Sequence, residues 1–271
     1  MYLSLRNSRI KLSVGQIFWR EIGSGPDVVF LHGSWQDSTQ WLPVIEHLST
    51  DHHCFVPDLL GFGESQSESP KIHYSVELEV EFLADYLENL KLRQFYLVAH
   101  SLGGWIAANY AIKHSDRVLG LVLLAPEGVK AGYLKQRWFW MSLFGMLPSV
   151  ILRMVRSLSP IAKICGGRKN IDRLLQFQKG LIKSPTTAKI LFQRRRREIQ
   201  GELLDARLSE LKIPILILQG AEDTAITLSL SQSYTALAPN AEIQVVSNGG
   251  NNLPQEMPEA IAQYIRKFVN G

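Results

Sequence analysis

Ser101, in a Val-Ala-His-Ser-Leu-Gly-Gly stretch, is the side chain of this sequence best placed to act as a nucleophile. An apolar run over residues 95–99 precedes it and a helix-compatible run over residues 105–114 follows it, which predicts a strand, a sharp turn and a helix. A serine on such a turn projects its hydroxyl above the strand end, within reach of an acyl carbon. The amide of Leu102 begins the helix, where unpaired N–H groups and the helix dipole favour negative charge. The stretch therefore predicts a nucleophile and half of an oxyanion hole.

Buried strands must position this turn, and the sequence contains several short, continuous apolar runs. They alternate with helical patterns, which predicts a parallel sheet with helices on both faces. We expect strands at residues 28–31, 53–57, 95–99, 118–125, 215–218 and 242–246, and helices at residues 75–90, 228–237 and 258–269. Two antiparallel strands at residues 10–14 and 16–22, turning near Gly15, are expected to open the chain.

The composition is that of an ordinary globular protein, with 46% hydrophobic and 20% charged residues among 271. Cys54 and Cys165 lie far apart and match no metal spacing, so we expect free thiols in a reducing compartment. The first eleven residues have no apolar core of a secretory signal, and no run of about 18 apolar residues occurs. These features predict a cytoplasmic location.

Charge divides the chain into two kinds of surface. Residues 128–206 carry 16 Lys/Arg and 4 Asp/Glu, whereas the remainder carries 13 and 21. Helical periodicity dominates the basic segment, and strand–helix alternation occupies the rest. We therefore expect one core domain built from residues 1–127 and 207–271, with residues 128–206 inserted as a helical cap over the active edge of the sheet.

Five stretches, taken in order, resemble the α/β-hydrolase fold family: His32-Gly33, residues 58–65, the turn around Ser101, residues 220–223 and residues 249–258. The resemblance covers nearly the whole chain and implies an α/β-hydrolase fold with a mostly parallel sheet. Ala99 stands where the common pattern has Gly, and Ala is still small enough for the strand and helix to approach. A serine at this turn implies acyl transfer or related C–C or C–O cleavage, whereas Asp there usually accompanies dehalogenase or epoxide chemistry.

The resemblance also implies roles for individual residues. The amide of Ser34 would be the second oxyanion donor, and Gly33 would allow the loop to approach the ligand closely. Trp35 would contact substrate, and Asp223 would be the acid that orients the catalytic base.

Each of these assignments has an alternative. Ser101 could cap its helix, Asp223 could cap the next one, and His32 is expected only to brace its loop. Glu222 is a weaker choice of catalytic acid. Glu127 lies just after the preceding strand, at a position where some family members carry the catalytic acid. We expect residues 58–65, with their glycines, to form a structural turn.

The expected base is missing. The family order is Ser, acid, His, with the His in the loop after the last strand, and Asn251 stands at that position. All seven histidines of the chain precede residue 115, and the side chain of His100 should point away from Ser101. An amide cannot take up a proton near neutral pH. Three accounts remain open: a natural member with lost or rerouted catalysis, a His-to-Asn form of an active enzyme, or a base supplied by substrate or another residue.

The sequence thus predicts hydrolysis of a small or medium apolar ester or related acyl substrate through an acyl-enzyme on Ser101. The alternative is a non-catalytic ligand-binding or interaction protein that uses the same pocket. No metal or organic cofactor is implied. Residues 194–197, four arginines, are expected to form a solvated face rather than a nucleic-acid site. Aromatic and basic residues of the cap, such as Trp138 and Lys135, suggest weak contact with anionic membranes. The oligomeric state is open.

Overall fold

The computed structural model describes residues 4–130, 180 and 184–271, and nine strands of this part of the chain form one sheet. The strands are β1 (Arg6–Lys11), β2 (Gly15–Gly23), β3 (Asp27–Leu31), β4 (His53–Pro57), β5 (Gln66–Ser67), β6 (Phe95–His100), β7 (Val118–Leu124), β8 (Ile215–Gly220) and β9 (Ala241–Val246).

The strand order is β1-β2-β4-β3-β6-β7-β8-β9, with β5 paired to β2. Strand β2 is antiparallel to β1, β4 and β5, and every pair from β4 to β9 along this order is parallel. The carboxyl ends of the parallel strands therefore meet at one edge of the sheet, where the loops that follow β3, β6, β7, β8 and β9 can converge on a site.

Alternation along the buried strands divides the core between the two faces of the sheet. In β3, Val28 and Phe30 pack in one cluster, whereas Val29 and Leu31 pack in the other. This follows from the two-residue repeat of a strand, because a strand covered on both faces needs apolar residues at every position. The apolar runs that predicted the central strands are thus explained by burial on both sides.

Helices cover both faces of the sheet. The described helices are α1 (Leu42–Leu48), α2 (Val76–Asn89), α3 (Leu102–Lys113), α4 (Pro185–Leu191), α5 (Arg196–Gly201), α6 (Ala225–Leu237), α7 (Leu253–Glu256) and α8 (Pro258–Val269), with short 3-10 turns at Ser38–Trp41 and Leu208–Glu210. Helices α1, α7 and α8 contribute to the cluster that contains Val28, and helices α2, α3 and α6 contribute to the one that contains Val29. The predicted strands and helices of the core are confirmed, with ends that shift by a few residues.

The first strand is the main correction. We expected it at residues 10–14, but β1 ends at Lys11, which pairs with Gln16. Leu12 is buried, and its N–H donates to the carbonyl of Gly15 (2.8 Å), so the chain already turns at residues 12–15. The apolar pattern misled because Leu12 belongs to the turn and still packs into the core.

The predicted cap lies mostly outside the described residues, including Trp138, Lys135 and Cys165. Its two ends meet, because the amide of Leu204 donates to the carbonyl of Gly128 (2.8 Å) and that of Lys130 donates to the carboxylate of Asp205 (3.0 Å). Such a meeting is what an insertion into a loop requires, although the boundaries 128–206 stay a prediction.

The arginine run does not form one continuous charged surface. The side chain of Arg194 is nearly buried and donates to Glu202 (2.6 Å), whereas Arg195, Arg196 and Arg197 are exposed. One of the four charges is therefore neutralised inside the fold.

Within the described ranges, no helix has the length and apolar character needed to cross a bilayer.

Two glycines let α3 start directly against the strand ends. A Cβ on Gly103 would lie 2.6 Å from the carbonyl oxygens of Leu31 and His32, and one on Gly104 would lie 3.0 Å from Pro126. Real Cβ atoms do not approach a carbonyl oxygen that closely. The two positions after Leu102 therefore need glycine, because a side chain there would clash with the neighbouring backbone and Pro126.

We expect Gly103→Ala to destabilise the fold by about 2 kcal/mol, because the methyl group forces the helix away from two rigid carbonyls. Gly201→Ala is the matched control, since nothing lies within 4 Å of the added Cβ, and it should be neutral or slightly stabilising. Urea unfolding of both variants tests this, and equal loss of unfolding free energy would contradict it.

Candidate active site

Ser101 is the residue at which β6 turns into α3. Its torsion angles are φ 51° and ψ −112°, a conformation that non-glycine residues rarely adopt. The amide of Ser101 donates to the carbonyl of Leu124 in β7 (3.0 Å), and its carbonyl accepts from the amide of Trp105 (3.3 Å). A strained residue that its surroundings hold on both sides is typical of functional sites.

The hydroxyl of Ser101 does not cap the helix, because its side chain makes no capping hydrogen bond to α3. Its Oγ instead donates to Oε1 of Glu127 at 3.4 Å. Ser101 is partly exposed and lines a pocket together with Ser34, Trp35 and Asn251. The N-cap alternative for Ser101 is therefore excluded, and the hydroxyl is presented to the pocket.

Asp223 and Asn251 come together at the ends of β8 and β9. Nδ2 of Asn251 donates to Oδ2 of Asp223 at 2.9 Å. The same carboxylate accepts from Nε2 of Gln219 (3.1 Å) and from the amide of Thr224 (2.6 Å). The nitrogen end of the Asn251 carboxamide is engaged by Asp223, and neither end of an amide takes up a proton at neutral pH.

Two backbone amides near Ser101 are candidate oxyanion donors, one at the start of α3 and one in the loop after β3. The amide of Leu102 is in the first turn of α3, where N–H groups have no partner inside the helix. The loop of Ser34 passes close because a Cβ on Gly33 would lie 2.5 Å from Nδ1 of His100. The carbonyl of Ser34 accepts from Ser184 (3.2 Å) and also from Thr187, at the start of α4. The segment at residues 184–187 thus holds this loop in place.

Gln40 connects the three loops of the site. The amide of Gly33 donates to its Oε1 (3.0 Å), and its Nε2 lies 3.0 Å from both Nδ1 of His100 and Oδ1 of Asn252. The side chain is fully buried. One carboxamide therefore ties the Ser34 loop, the strand end before Ser101 and the loop of Asn251 to each other.

His100 has both ring nitrogens in use. Nε2 donates to the carbonyl of Asn251 (2.9 Å), which leaves Nδ1 as the acceptor for Gln40. Burial lowers the pKa of His100 to about 4, and the carbonyl of Asn251 opposes that shift only in part. The ring is therefore neutral at pH 7 and braces the loop of Asn251 rather than serving Ser101.

His32 and Asp58 are structural, as expected. His32 is buried, accepts from the amide of Leu59 (3.0 Å) and donates to the carbonyl of Gly33 (2.9 Å). Burial lowers the pKa of its ring. The buried carboxylate of Asp58 accepts from the amides of Ser38 (2.6 Å) and Glu64 (2.8 Å), which closes the turn at residues 58–65.

Trp35 lies at the mouth of the pocket and is 41% exposed. A Cβ on Gly180 would lie 3.0 Å from its ring, so the backbone at Gly180 passes against one side of the indole. The described residues hold no group of three or more His, Cys, Asp or Glu side chains that could bind a metal ion. Cys54 is buried, and burial raises its pKa to about 12.

Two contacts of this site were not predicted from the sequence. Gln40 lies in a short 3-10 turn, and its partners are up to 212 residues away, so no local pattern marks it. Glu127 was considered only as an acid position, but its carboxylate contacts Ser101 directly. A carboxylate placed just after a strand end was the available signal for Glu127.

We expect Gln40→Leu to lower the unfolding free energy by about 3 kcal/mol, because it leaves the amide of Gly33 and Nδ1 of His100 without a partner in a buried position. Gln244→Leu, on an exposed position of β9, is the control and should change stability by less than about 0.5 kcal/mol. Urea unfolding measures both, and similar values for the two variants would refute the bridging role.

A second prediction concerns the charge of His100. Its folded pKa of about 4 lies below the ordinary unfolded value of about 6.5, so the unfolded chain binds the proton first as pH falls. Its contribution to stability is complete above pH 6.5 and is lost as the pH falls towards 4, up to about 3 kcal/mol. NMR titration of the ring should give a midpoint near 4, and a midpoint at or above 6.5 would be inconsistent with the buried, neutral ring.

Comparison with known proteins agrees with this architecture. A family model described as alpha/beta hydrolase family matches residues 28–264. The uncharacterized hydrolase YugF of Bacillus subtilis is 26% identical over 253 residues, covering 89% of both chains. The human monoacylglycerol lipase ABHD6 is 24% identical over 261 residues, covering 91% of this chain and 76% of the lipase.

The fold is also similar to that of solved structures. A meta-cleavage product hydrolase from Pseudomonas fluorescens IP01 superposes with a TM-score of 0.74 at 21% identity, covering 97% of each chain. At this identity the likeness concerns the fold alone. The family model, by contrast, spans most of this chain, including β6, the turn at Ser101 and the loops of Asp223 and Asn251. The chain belongs to the alpha/beta hydrolase family.

Proposed function

We propose that this chain is a serine-nucleophile hydrolase of a small or medium apolar ester or related acyl compound, and that its turnover is limited at residue 251. The observation that carries the proposal is the hydrogen bond from Nδ2 of Asn251 to Oδ2 of Asp223 at 2.9 Å, beside the pocket that Ser101 lines. An acid that orients a side chain next to a serine is the arrangement of a catalytic triad. Here the oriented side chain is an amide.

In the proposed reaction, Oγ of Ser101 attacks the carbonyl carbon of the substrate. The negative charge that develops on the carbonyl oxygen is stabilised by the amides of Leu102 and Ser34, and such donors are worth about 3–4 kcal/mol each in transition-state stabilisation. The alcohol leaves, the acyl group remains on Ser101, and water then releases the acid. The strained turn supports this role because it presents the Ser101 hydroxyl to the pocket. The amides of Leu102 and Ser34 are main-chain groups, so their positions are fixed by the same backbone.

The missing imidazole limits both steps. A serine hydroxyl must give up a proton as it attacks, and the leaving alcohol must receive one. In a serine protease of another fold, loss of the histidine costs on the order of 10⁶ in turnover and leaves about 10³–10⁴ over water. We therefore propose a site that binds and slowly acylates rather than one with ordinary turnover.

An apolar acyl substrate is supported by the pocket rim and by a relative. Trp35 offers a half-exposed indole beside Ser101, and aromatic rings of this kind contribute apolar contact area. ABHD6 is named as a monoacylglycerol lipase, which places an ester of a fatty acid among the first substrates to test. The proposed contact with anionic membranes depends on cap residues outside the described ranges.

A non-catalytic binding role is the second candidate, and the amide at residue 251 is the observation that favours it. Such a protein would hold its ligand through the same pocket and the same two amides. One result would distinguish it from a hydrolase. An imidazole introduced at residue 251 would give a binding protein no ester hydrolysis.

We expect Asn251→His to raise kcat/KM for p-nitrophenyl esters by at least about 10³-fold, because an imidazole that donates to Asp223 presents a basic nitrogen to Ser101. Asn251→Gln is the matched control: it lengthens the side chain without adding a base and should not raise activity. Steady-state hydrolysis over acyl chains of increasing length gives the measurement.

Ser101→Ala in the Asn251→His background should abolish the gain. If Asn251→His gains no activity on any ester of the series while remaining folded, the hydrolase proposal fails and the binding role takes its place. Equal gains from Asn251→His and Asn251→Gln would show that side-chain length, not proton uptake, limits the reaction.

A further inference from the structure

We propose that the carboxylate of Glu127 is the proton acceptor for Ser101 in this chain, in place of the missing imidazole. Oγ of Ser101 donates to Oε1 of Glu127 at 3.4 Å. This inference rests on the proposed function, since it assigns a base to the same nucleophile. A distance of this kind is long for a hydrogen bond, as catalytic contacts often are before substrate binds.

The backbone holds Glu127 against the turn at Ser101. The chain leaves β7 through Ala125, whose φ is 45°, and Pro126 follows. The amide of Glu127 donates to the carbonyl of Ser101 (3.1 Å), and the buried Tyr234 donates its hydroxyl to the carbonyl of Glu127 (2.6 Å). The position of Glu127 relative to Ser101 is thus set by main-chain hydrogen bonds, and only the side chain needs to adjust.

Two other ionisable residues near the pocket use their polar atoms in hydrogen bonds to groups other than Ser101. Both ring nitrogens of His100 are engaged, by Gln40 and by the carbonyl of Asn251. Both carboxylate oxygens of Asp223 accept from Gln219, Thr224 and Asn251. Within the described part of the chain, Glu127 is the ionisable residue for which a hydrogen bond to Oγ of Ser101 is found.

In the proposed reaction, the carboxylate of Glu127 accepts and returns every proton that is transferred. As Oγ of Ser101 bonds to the acyl carbon, its proton moves to Glu127, and the carboxylic acid then protonates the leaving alcohol as the ester C–O bond breaks. In the second half, Glu127 takes a proton from water as the water oxygen bonds to the acyl carbon. The acid returns that proton to Oγ as the acyl–Ser101 bond breaks, so ester and water give acid and alcohol.

The rate at which a fluorophosphonate labels Ser101 tests this inference, because labelling requires the same loss of the Ser101 proton. Four proteins are compared: the chain with the sequence given, Glu127→Gln, Asn251→His, and the double variant Asn251→His/Glu127→Gln. Glu242→Gln removes an exposed carboxylate on β9 and is the matched control. Ser101→Ala gives the background, and thermal unfolding verifies that each variant folds.

We expect Glu127→Gln to slow labelling of the unsubstituted chain by about 10²-fold, the usual worth of a general base, and Glu242→Gln to leave it unchanged. In the Asn251→His background, Glu127→Gln should slow labelling by less than threefold, because the imidazole then takes the proton. A purely structural role for Glu127 would slow both backgrounds equally, and that result would overturn the inference.

Further outcomes separate this inference from the proposed function. If the unsubstituted chain labels at the same rate with and without Glu127, the carboxylate is not the acceptor. If only Asn251→His labels, Ser101 is a nucleophile and Glu127 is not its base. If no protein labels above Ser101→Ala, the proposed function fails and this inference fails with it.

Discussion

The structure of the site depends on one sharp turn, in which the backbone passes from β6 to α3 within a single residue. The turn is held by the pairing of Ser101 with Leu124 of the next strand, and its strain appears in the positive φ of 51°. It requires Gly103, because the helix begins against the carbonyls of Leu31 and His32. From this geometry follow the exposure of the hydroxyl and the position of the amide of Leu102.

The loops around the turn are held by a shared set of buried polar contacts. Gln40 joins the Gly33 loop to His100, and His100 joins the strand end to the backbone of Asn251. Because these groups are buried, the loss of any one of them would leave its hydrogen-bond partners unpaired at a cost in free energy. The contacts therefore stabilise the site as a set rather than one by one. A neutral His100 belongs to this arrangement, because protonation would remove the acceptor that Gln40 uses.

The chemistry is decided by the difference between an amide and an imidazole at residue 251. Asp223 is placed to orient its neighbour, and the 2.9 Å contact with Asn251 uses the donor that an imidazole would also offer. An imidazole has a second, basic nitrogen on the far side of the ring, and a carboxamide has only a weakly basic oxygen. The proposed reaction therefore needs another acceptor, and Glu127 is the carboxylate that contacts the hydroxyl.

Much of this could be predicted from the sequence because the central strands are covered on both faces, so their apolar runs are continuous. With the strands located, Ser34, Ser101, Asp223 and Asn251 fall at the sheet edge where parallel strands end, and the structure places them there. Gln40 could not be predicted, since its partners come from three distant loops. The contact between Glu127 and Ser101 could not be predicted either, because it depends on the positive φ of Ala125. The first strand was misplaced because the turn residue Leu12 is buried like a strand residue.

The nucleophile and both oxyanion donors can be observed together in a crystal structure of the unsubstituted chain after prolonged reaction with a phosphonate ester. We expect phosphorus on Oγ of Ser101, its oxygen within hydrogen-bond distance of the amides of Leu102 and Ser34, and Asn251 still donating to Asp223. Phosphorus on another residue, or a phosphoryl oxygen turned away from both amides, would contradict this expectation.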